Sequence, residues 1–600
     1  MEEIASFLIE RGTVRVTPLG LGFDPKQITA ALPASVQLLL TARADRLSAE
    51  DRKLLQTAAV IGRRFDPSLL SAIESGFGDV AGKLRVLQDL DFVQGDPQSG
   101  DFEFKHVLMR DALYDNLLSG LRAELHLKVG NAIERRATAR LSEVVETLAH
   151  HFSLSGRHDK AFRYCSLSGT KCLEIYSLEE AEGYFRKSLS LLKQAPHCAD
   201  DAAMATVVVG LLEVLHLKGD LIGLSEIAES YIPRLEVMGD TPQLVFALYF
   251  HCMLLNHFCE FRAAEARAKA AVNIAGHLND IRAQAYARSA LLFCSIILGR
   301  HTLEEAEREG KRVLEVCMQS GDNYILNWAY WSIAWDYVCR GLTKKARHWT
   351  VQLMEAGRQR QDNRALGMAF WTLAWIDIQA YRFSDGIANA QRSQRTAITP
   401  FDRNAGNMAN ATALLLEGRV EEGLAQLLNL KKWALAHRWA YNASGLDFAA
   451  GPALAMTGRI GESIRTLKKG IVSCDAAGSL AVASWNRLAL AELYLGMLSA
   501  KGRPPVRLIL FNLLSILKVR LFGLRQARLL LEQLLLNAQI HPDSTTRARI
   551  EMDLARVCLR ENAATQARLH LSKARAAALA QELTPMLTEI DAIAANLARA

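Results

Sequence analysis

Two segments of this chain, Ala-Tyr-Trp-Ser-Ile-Ala-Trp at 329–335 and Ala-Phe-Trp-Thr-Leu-Ala-Trp at 369–375, nearly repeat each other 40 residues apart. The same offset recurs where Gly418-Arg419-Val420-Glu421 answers Gly458-Arg459-Ile460-Gly461. A period of this size is that of stacked helical pairs, which grow by adding units, so 600 residues need not divide into several domains. Each unit buries an apolar stripe against its neighbours and leaves an extended face suited to a partner. Trp331/Trp335 and Trp371/Trp375 are i, i+4 pairs with alanines between them, which predicts large-against-small packing between repeats rather than ligand stacking. Gly418 and Gly458 are read as turn positions of the repeat.

Half the residues are apolar and only 14 are proline, a composition for a globular helical chain with a large core. The net charge of +7 is small for this length and makes no general case for nucleic acid. The ten cysteines stand singly without a CxxC pair, so they read as packing residues of a reducing compartment rather than zinc or redox sites. The start, Met1-Glu2-Glu3-Ile4, has no signal-peptide pattern, and no run of 18 uncharged apolar residues occurs. A cytoplasmic protein is expected, with a membrane surface not expected as partner.

Along the chain, residues 1–48 read as helix, loop and helix, the last opening at Leu32-Pro33-Ala34-Ser35. Over 49–118, capping sequences at Ser48 and Gly78-Asp79 and the proline of Asp66-Pro67 open three helices. Phe92-Val93 and Phe102-Glu103-Phe104 then flank the turn-rich 95–100 as a hairpin, and the sum predicts a winged-helix module. Residues 119–500 read as tetratricopeptide-like helical repeats with turns near Gly219, Glu260, Gly299, Gly341, Arg382, Gly418 and Gly458. Residues 501–531 form a basic apolar insert, and 532–600 a terminal helical pair. The predicted fold class is mostly all-α: a winged-helix module followed by a long tetratricopeptide-like α-solenoid.

The strings Leu32-Pro33-Ala34-Ser35-Val36, Ala42-Arg43-Ala44-Asp45-Arg46-Leu47, Ala58-Ala59-Val60-Ile61-Gly62 and Phe102-Glu103-Phe104-Lys105-His106-Val107 resemble the bacterial signal-transduction ATPases with numerous domains. The class resembled places an AAA-like ATPase between an adenylate/guanylate cyclase domain and a tetratricopeptide-like array. The match covers 1 to about 190, the rest agreeing only in architecture. It implies that residues 1–48 are the remnant C-terminal helices of an ATPase domain and that the chain is the C-terminal portion of such a protein. By resemblance His106 contacts a nucleotide phosphate; otherwise it caps the following helix. No G-x-x-x-x-G-K-[ST] loop occurs, nor an acidic pair for Mg²⁺, so ATP and Mg²⁺ belong to full-length relatives and this chain is expected to hold no cofactor and perform no catalysis.

Other candidates have plain readings. The helix around Val80–Leu90 offers DNA only Lys83 and Arg85 among several aspartates. His150, His151, His251 and His257 lack metal-ligand spacing and read as solvated or core histidines. Residues 493–531 contain no acid, yet carry Lys518, Arg520 and Arg525 among many leucines, either as an interfacial helix or as a solenoid helix. The second is expected, with Leu510, Leu513, Leu514 and Leu517 packed on the preceding repeat. The sequence therefore predicts a non-catalytic regulatory scaffold that binds a protein through its solenoid surface. The alternatives are an inducer-sensing arm of an ATP-dependent transcription activator, or the partner half of a split ATPase/adenylate cyclase.

Overall fold

The computed structural model describes residues 14–17, 20–23, 36–73, 75–137, 140–500 and 506–599. It is mostly α-helical and falls into two compact units, Met1–Val207 and Val208–Ala600, the division lying inside the helix Asp201–Lys218.

In the first unit, Val14–Thr17 pairs antiparallel with Gly20–Phe23, a hairpin where the sequence suggested loop and helix. The expected helix start at Leu32-Pro33 lies outside the described residues. The helix Ala49–Ile61 is capped by the Ser48 hydroxyl, which accepts from the Asp51 N–H at 3.0 Å, and Val80–Asp89 by Asp79, which accepts from Gly82 at 2.9 Å. Between them lies Pro67–Ile73. Val93–Gly95 and Phe102–Phe104 form the expected hairpin, to which Arg64–Phe65 adds a third antiparallel strand. Leu54, Leu55, Leu84, Leu87 and Phe104 make its core. The helices Ser119–Arg136 and Leu141–Leu154, then His158–Glu174 and Leu178–Gln194, follow as packed pairs.

The second unit shows why a 40-residue period folds this way. Its inner helices, Pro242–His257, Ile281–Leu298, Asn323–Arg340 and Asn363–Gln379, are apolar on every side and buried nearly all round. The helices between them bury one stripe each, as Ala306, Gly310, Val313 and Cys317 do in Leu303–Ser320. After each of these four helices, and after Asp201–Lys218, Pro400–Glu417 and Asp447–Met456, the chain reverses through one residue in the left-handed region. These are Gly219, Cys259, Gly299, Gly341, Tyr381, Gly418 and Gly458, matching or adjoining the expected turns.

Three of those turns also seat residues from much later in the chain. The Trp439 indole N–H donates to the Gly219 carbonyl at 3.0 Å, 220 residues away, and a Cβ on Gly219 would lie 2.5 Å from the indole ring. Gln539 donates to the Ile296 carbonyl at 3.1 Å with its amide pressed on Gly299. The Thr545 N–H donates to the Gly341 carbonyl at 2.9 Å, and Thr343 donates to Gln581 at 3.0 Å, 238 residues on. The array thus returns on itself after about five to six periods of the repeat, and its later helices cover its earlier inner ones.

One expectation is corrected outright. A single helix, Val506–Leu535, covers the described part of the predicted insert and continues past it, and its packed face is Asn512, Val519, Gly523, Ala527, Leu531 and Leu534. Leu510, Leu513, Leu514 and Leu517 point away and are 70%, 52%, 74% and 51% exposed. With apolar residues on both sides of the helix, the small side chains Gly523 and Ala527 and the Asn512 amide, which donates to the Gly458 carbonyl at 2.8 Å, decide which side docks. Ile281–Leu298 is long and apolar enough by composition to cross a membrane, but 67% of it is buried in the array.

Gly219→Ala should destabilise the second unit by about 2 kcal/mol or more, since the methyl meets a rigid indole at a left-handed position. Combining it with Trp439→Ala should cost less than the sum of the two single changes, measured as a double-mutant cycle of denaturant unfolding.

Candidate functional site

The closure forms an aromatic pocket. Trp328, Trp331 and Trp335 occupy one face of Asn323–Arg340 at i, i+3 and i+7, and Trp371 and Trp375 the equivalent face of the next inner helix. Trp331 and Trp335 stack with ring centroids 5.8 Å apart, and Trp371 lies 5.4 Å from Trp331 and 5.6 Å from Trp335. Later segments close the space: Phe401 from Pro400–Glu417, Tyr441 and Asn442 from Ala440–Gly445, Phe448 from Asp447–Met456, and Trp485 from Leu480–Ser499. Trp485 meets Trp335 at 6.4 Å, and Phe448 meets Trp375 at 6.1 Å. The four repeat tryptophans are therefore buried, as expected, but ring against ring around a shared space. The small residues serve the outer packing, where the Ala374 backbone lies under Gly386.

About 90 Å³ of free space remains, against roughly 10–15 Å³ for one water. The indole N–H groups of Trp328, Trp331 and Trp371 have no hydrogen-bond partner, although these side chains are 2%, 5% and 4% exposed. Asn256 Oδ1 on the same lining also lacks one. A buried donor left unmade costs about 1–3 kcal/mol, and an acceptor placed in this space would satisfy the indoles. No acid, lysine or arginine lines the cavity, and burial holds the His257 imidazole down at about 4, hence neutral. A flat, neutral, largely apolar molecule with an acceptor fits that chemistry. A neighbouring space of about 200 Å³ shares Trp375, Phe448 and Trp485 and is also lined by Gln379 and by Arg549, which donates to Glu492 at 2.8 and 2.6 Å.

The other candidates fall elsewhere. His106 occupies the N-cap position of Val107–Asp115 but makes no side-chain cap bond. Gly418 and Gly458 are left-handed turn residues. Lys83 pairs with Glu50, which leaves Arg85 as the exposed cation of its helix. Cys252 and Cys294, one repeat apart, approach to 3.3 Å between sulfurs, a proximity their separation in sequence hides. His151 and His126 are core residues with facing Nδ1 atoms 2.9 Å apart, and His126 Nε2 meets the Tyr114 hydroxyl at 2.9 Å. Burial, with His150, Arg122 and Arg110 nearby, lowers His126 to about 4, and burial with its histidine neighbours lowers His151 to about 3. Among the described residues no cluster of histidine, cysteine and carboxylate could hold a metal.

No protein-family model matches the chain, and no curated protein matches it. Among solved structures it is similar to a signal-transduction ATPase with numerous domains carrying a tetratricopeptide repeat sensor, from Pyrococcus horikoshii. Identity there is 13% and the TM-score 0.32, over 85% of this chain and 67% of that one. It is also similar to the APC/C hetero-tetramer Cut9-Hcn1, at 10% identity and TM-score 0.44 over 80% and 85% of the two chains. A Rap protein complexed with Competence and Sporulation Factor matches at 12% and 0.34, over 70% and 99%. The likeness is one of helical-repeat architecture.

Because the folded pKa values of His126 and His151 lie below the unfolded value of about 6.5, the unfolded state takes up protons first, and stability present above pH 6.5 is lost as pH falls toward 4. Amide protection in Ser119–Arg136 and Leu141–Leu154, corrected for intrinsic exchange, should drop about tenfold or more per pH unit below 6. A flat profile between pH 7 and 5 would contradict the neutral pair.

Proposed function

We propose that this chain is the regulatory arm of a signalling ATPase, and that it senses a small, neutral, flat aromatic molecule held inside its helical array. The observation that carries the reading is the tryptophan cavity with three buried indole donors unmatched. Where Trp331 and Trp371 face inward, the chain's own later segments, with Phe401, Phe448 and Trp485, take the place a polypeptide would occupy on an open stack. This moves the reading from a protein scaffold toward the inducer-sensing alternative. The tie to an ATPase and cyclase rests on the N-terminal sequence strings. In this reading the 49–118 module, a winged helix, couples the array to an ATPase encoded with it or beside it, and the absence of a phosphate-cradling loop leaves nucleotide chemistry to that partner.

A guest would gain stacking area on Trp331, Trp371 and Trp485, satisfy indole donors and tighten the contact between early and late helices. Binding would thus be coupled to closure of the array, which is what a sensor needs. Titration with 2-naphthol should quench tryptophan emission saturably and raise the melting temperature. Trp331→Phe, which keeps a ring but removes the donor, should weaken binding about threefold to tenfold. Failure of 2-naphthol and indole alike to bind saturably would overturn the reading, and Mg-ATP should give no heat of binding in the same buffer.

A further inference from the structure

The helix Val506–Leu535 is packed on one side and apolar on the other. Leu510, Leu513, Leu514, Leu517 and Leu521 follow at i, i+3, i+4, i+7 and i+11, one continuous stripe, and all are more than half exposed. Phe511 and Phe522, at 78% and 55% exposed, lie about 100–120° round the helix from the centre of the stripe. At 3.6 residues per turn, exposed Lys518 and Arg525 lie about 60–80° to one side of the stripe and Arg520 about 80° to the other. Single exposed leucines are ordinary on a surface, but a stripe of this length marks a contact site.

We propose that this face docks on an anionic lipid bilayer, lying flat in the interface with its leucines at the headgroup–acyl boundary and Lys518, Arg520 and Arg525 against lipid phosphates. Three features favour lipid over protein. Cations flank the leucine stripe on both sides, with Lys518 and Arg525 between it and the two phenylalanines, within reach of the phosphates that surround a helix lying in the interfacial plane. No acid occurs anywhere from 493 to 531, so nothing in the segment repels an anionic surface. A second copy of the chain would set the same cations against each other with no carboxylate in the segment to offset them. The helix lies on the membrane and does not cross it, because its other face is held to the array: Asn512 donates to the Gly458 carbonyl at 2.8 Å and accepts from the Gly461 N–H at 3.2 Å, and Val519, Ala527 and Leu531 are buried. Arg528 takes no part, being paired with Glu532 and Glu561.

The test is co-sedimentation of the full chain with vesicles of phosphatidylcholine alone and of phosphatidylcholine with about one-third phosphatidylserine, the fraction that gives a surface its negative potential. Binding is expected to the second and not the first, with release as salt rises and the Debye length falls from about 10 Å at 0.1 M toward 3 Å at 1 M. Reversing three cations, Lys518→Glu with Arg520→Glu and Arg525→Glu, should weaken binding by about a hundredfold or more. Leu514→Ser with Leu517→Ser should abolish it while leaving the charge intact, and both variants should melt like the parent because the altered residues are exposed. Absence of binding to anionic vesicles overturns the proposal. So does a dimer seen by light scattering that Leu514→Ser with Leu517→Ser dissolves, since the stripe would then be a protein interface. Neither outcome bears on the tryptophan cavity, whose lining shares no residue with this helix.

Discussion

The return of late helices onto early ones is the constraint on which the rest of the second unit depends. A stack of helical pairs by itself leaves its inner helices half covered. Here those helices are apolar all round, and only a second layer from the same chain keeps water from them. The second layer is located by polar contacts at the turns, where a left-handed residue exposes a carbonyl and leaves room for a large side chain. Trp439 uses both features of Gly219 at once, its N–H satisfied and its ring filling the place of a missing Cβ. Buried ions add direction to the same framework: Arg364 and Asp402, both almost fully buried, link the starts of neighbouring inner helices at 3.2 Å, with the guanidinium over the Tyr324 ring. A pair so buried contributes little net stability, but any other register would strand it, so it favours this one arrangement.

The aromatic cavity follows from that closure. Large rings on both layers cannot fill the centre as tightly as aliphatic side chains would, and indoles bring donors that need acceptors. His216, whose imidazole nitrogens are buried without a partner, lies 5.9 Å from Trp328 and 5.4 Å from Phe401, so the polar shortfall extends behind the lining. Burial drives its pKa far below the ordinary value and keeps it uncharged. In the proposed reading, a guest that accepts from these indoles would join the two layers, and its binding would be coupled to the contact between them.

Much of this was legible in the chain itself. The 40-residue offset between Trp331/Trp335 and Trp371/Trp375 gave the helical pairs and their turns to within a residue, because a repeat must place its reversals at a fixed interval. The alternation of Phe102 to Phe104 around a turn-rich loop gave the hairpin. The site was half legible: the repeat tryptophans were singled out and their burial expected, whereas Phe401, Asn442, Phe448 and Trp485 stand outside the repeat register and carry no mark of facing them. The strand Arg64–Phe65 was missed because two residues are too few to show a period.

Sequence alone determined what local periodicity can encode: helix spacing, turn positions, capping residues and the lack of a phosphate-cradling loop. Those depend on residues within a few turns of one another, where spacing translates directly into geometry. Which side of a doubly apolar helix is inside does not. Leu510, Leu514 and Leu517 looked like core because they are leucines at helical spacing, yet Val519, Gly523 and Ala527 won that place, since small residues let the helix approach the array closely while Asn512 fixed its height against Gly458. The seating of Trp439 on Gly219 and Gln539 against Gly299 likewise joins residues more than 200 positions apart, and only the curvature of the finished stack brings them together.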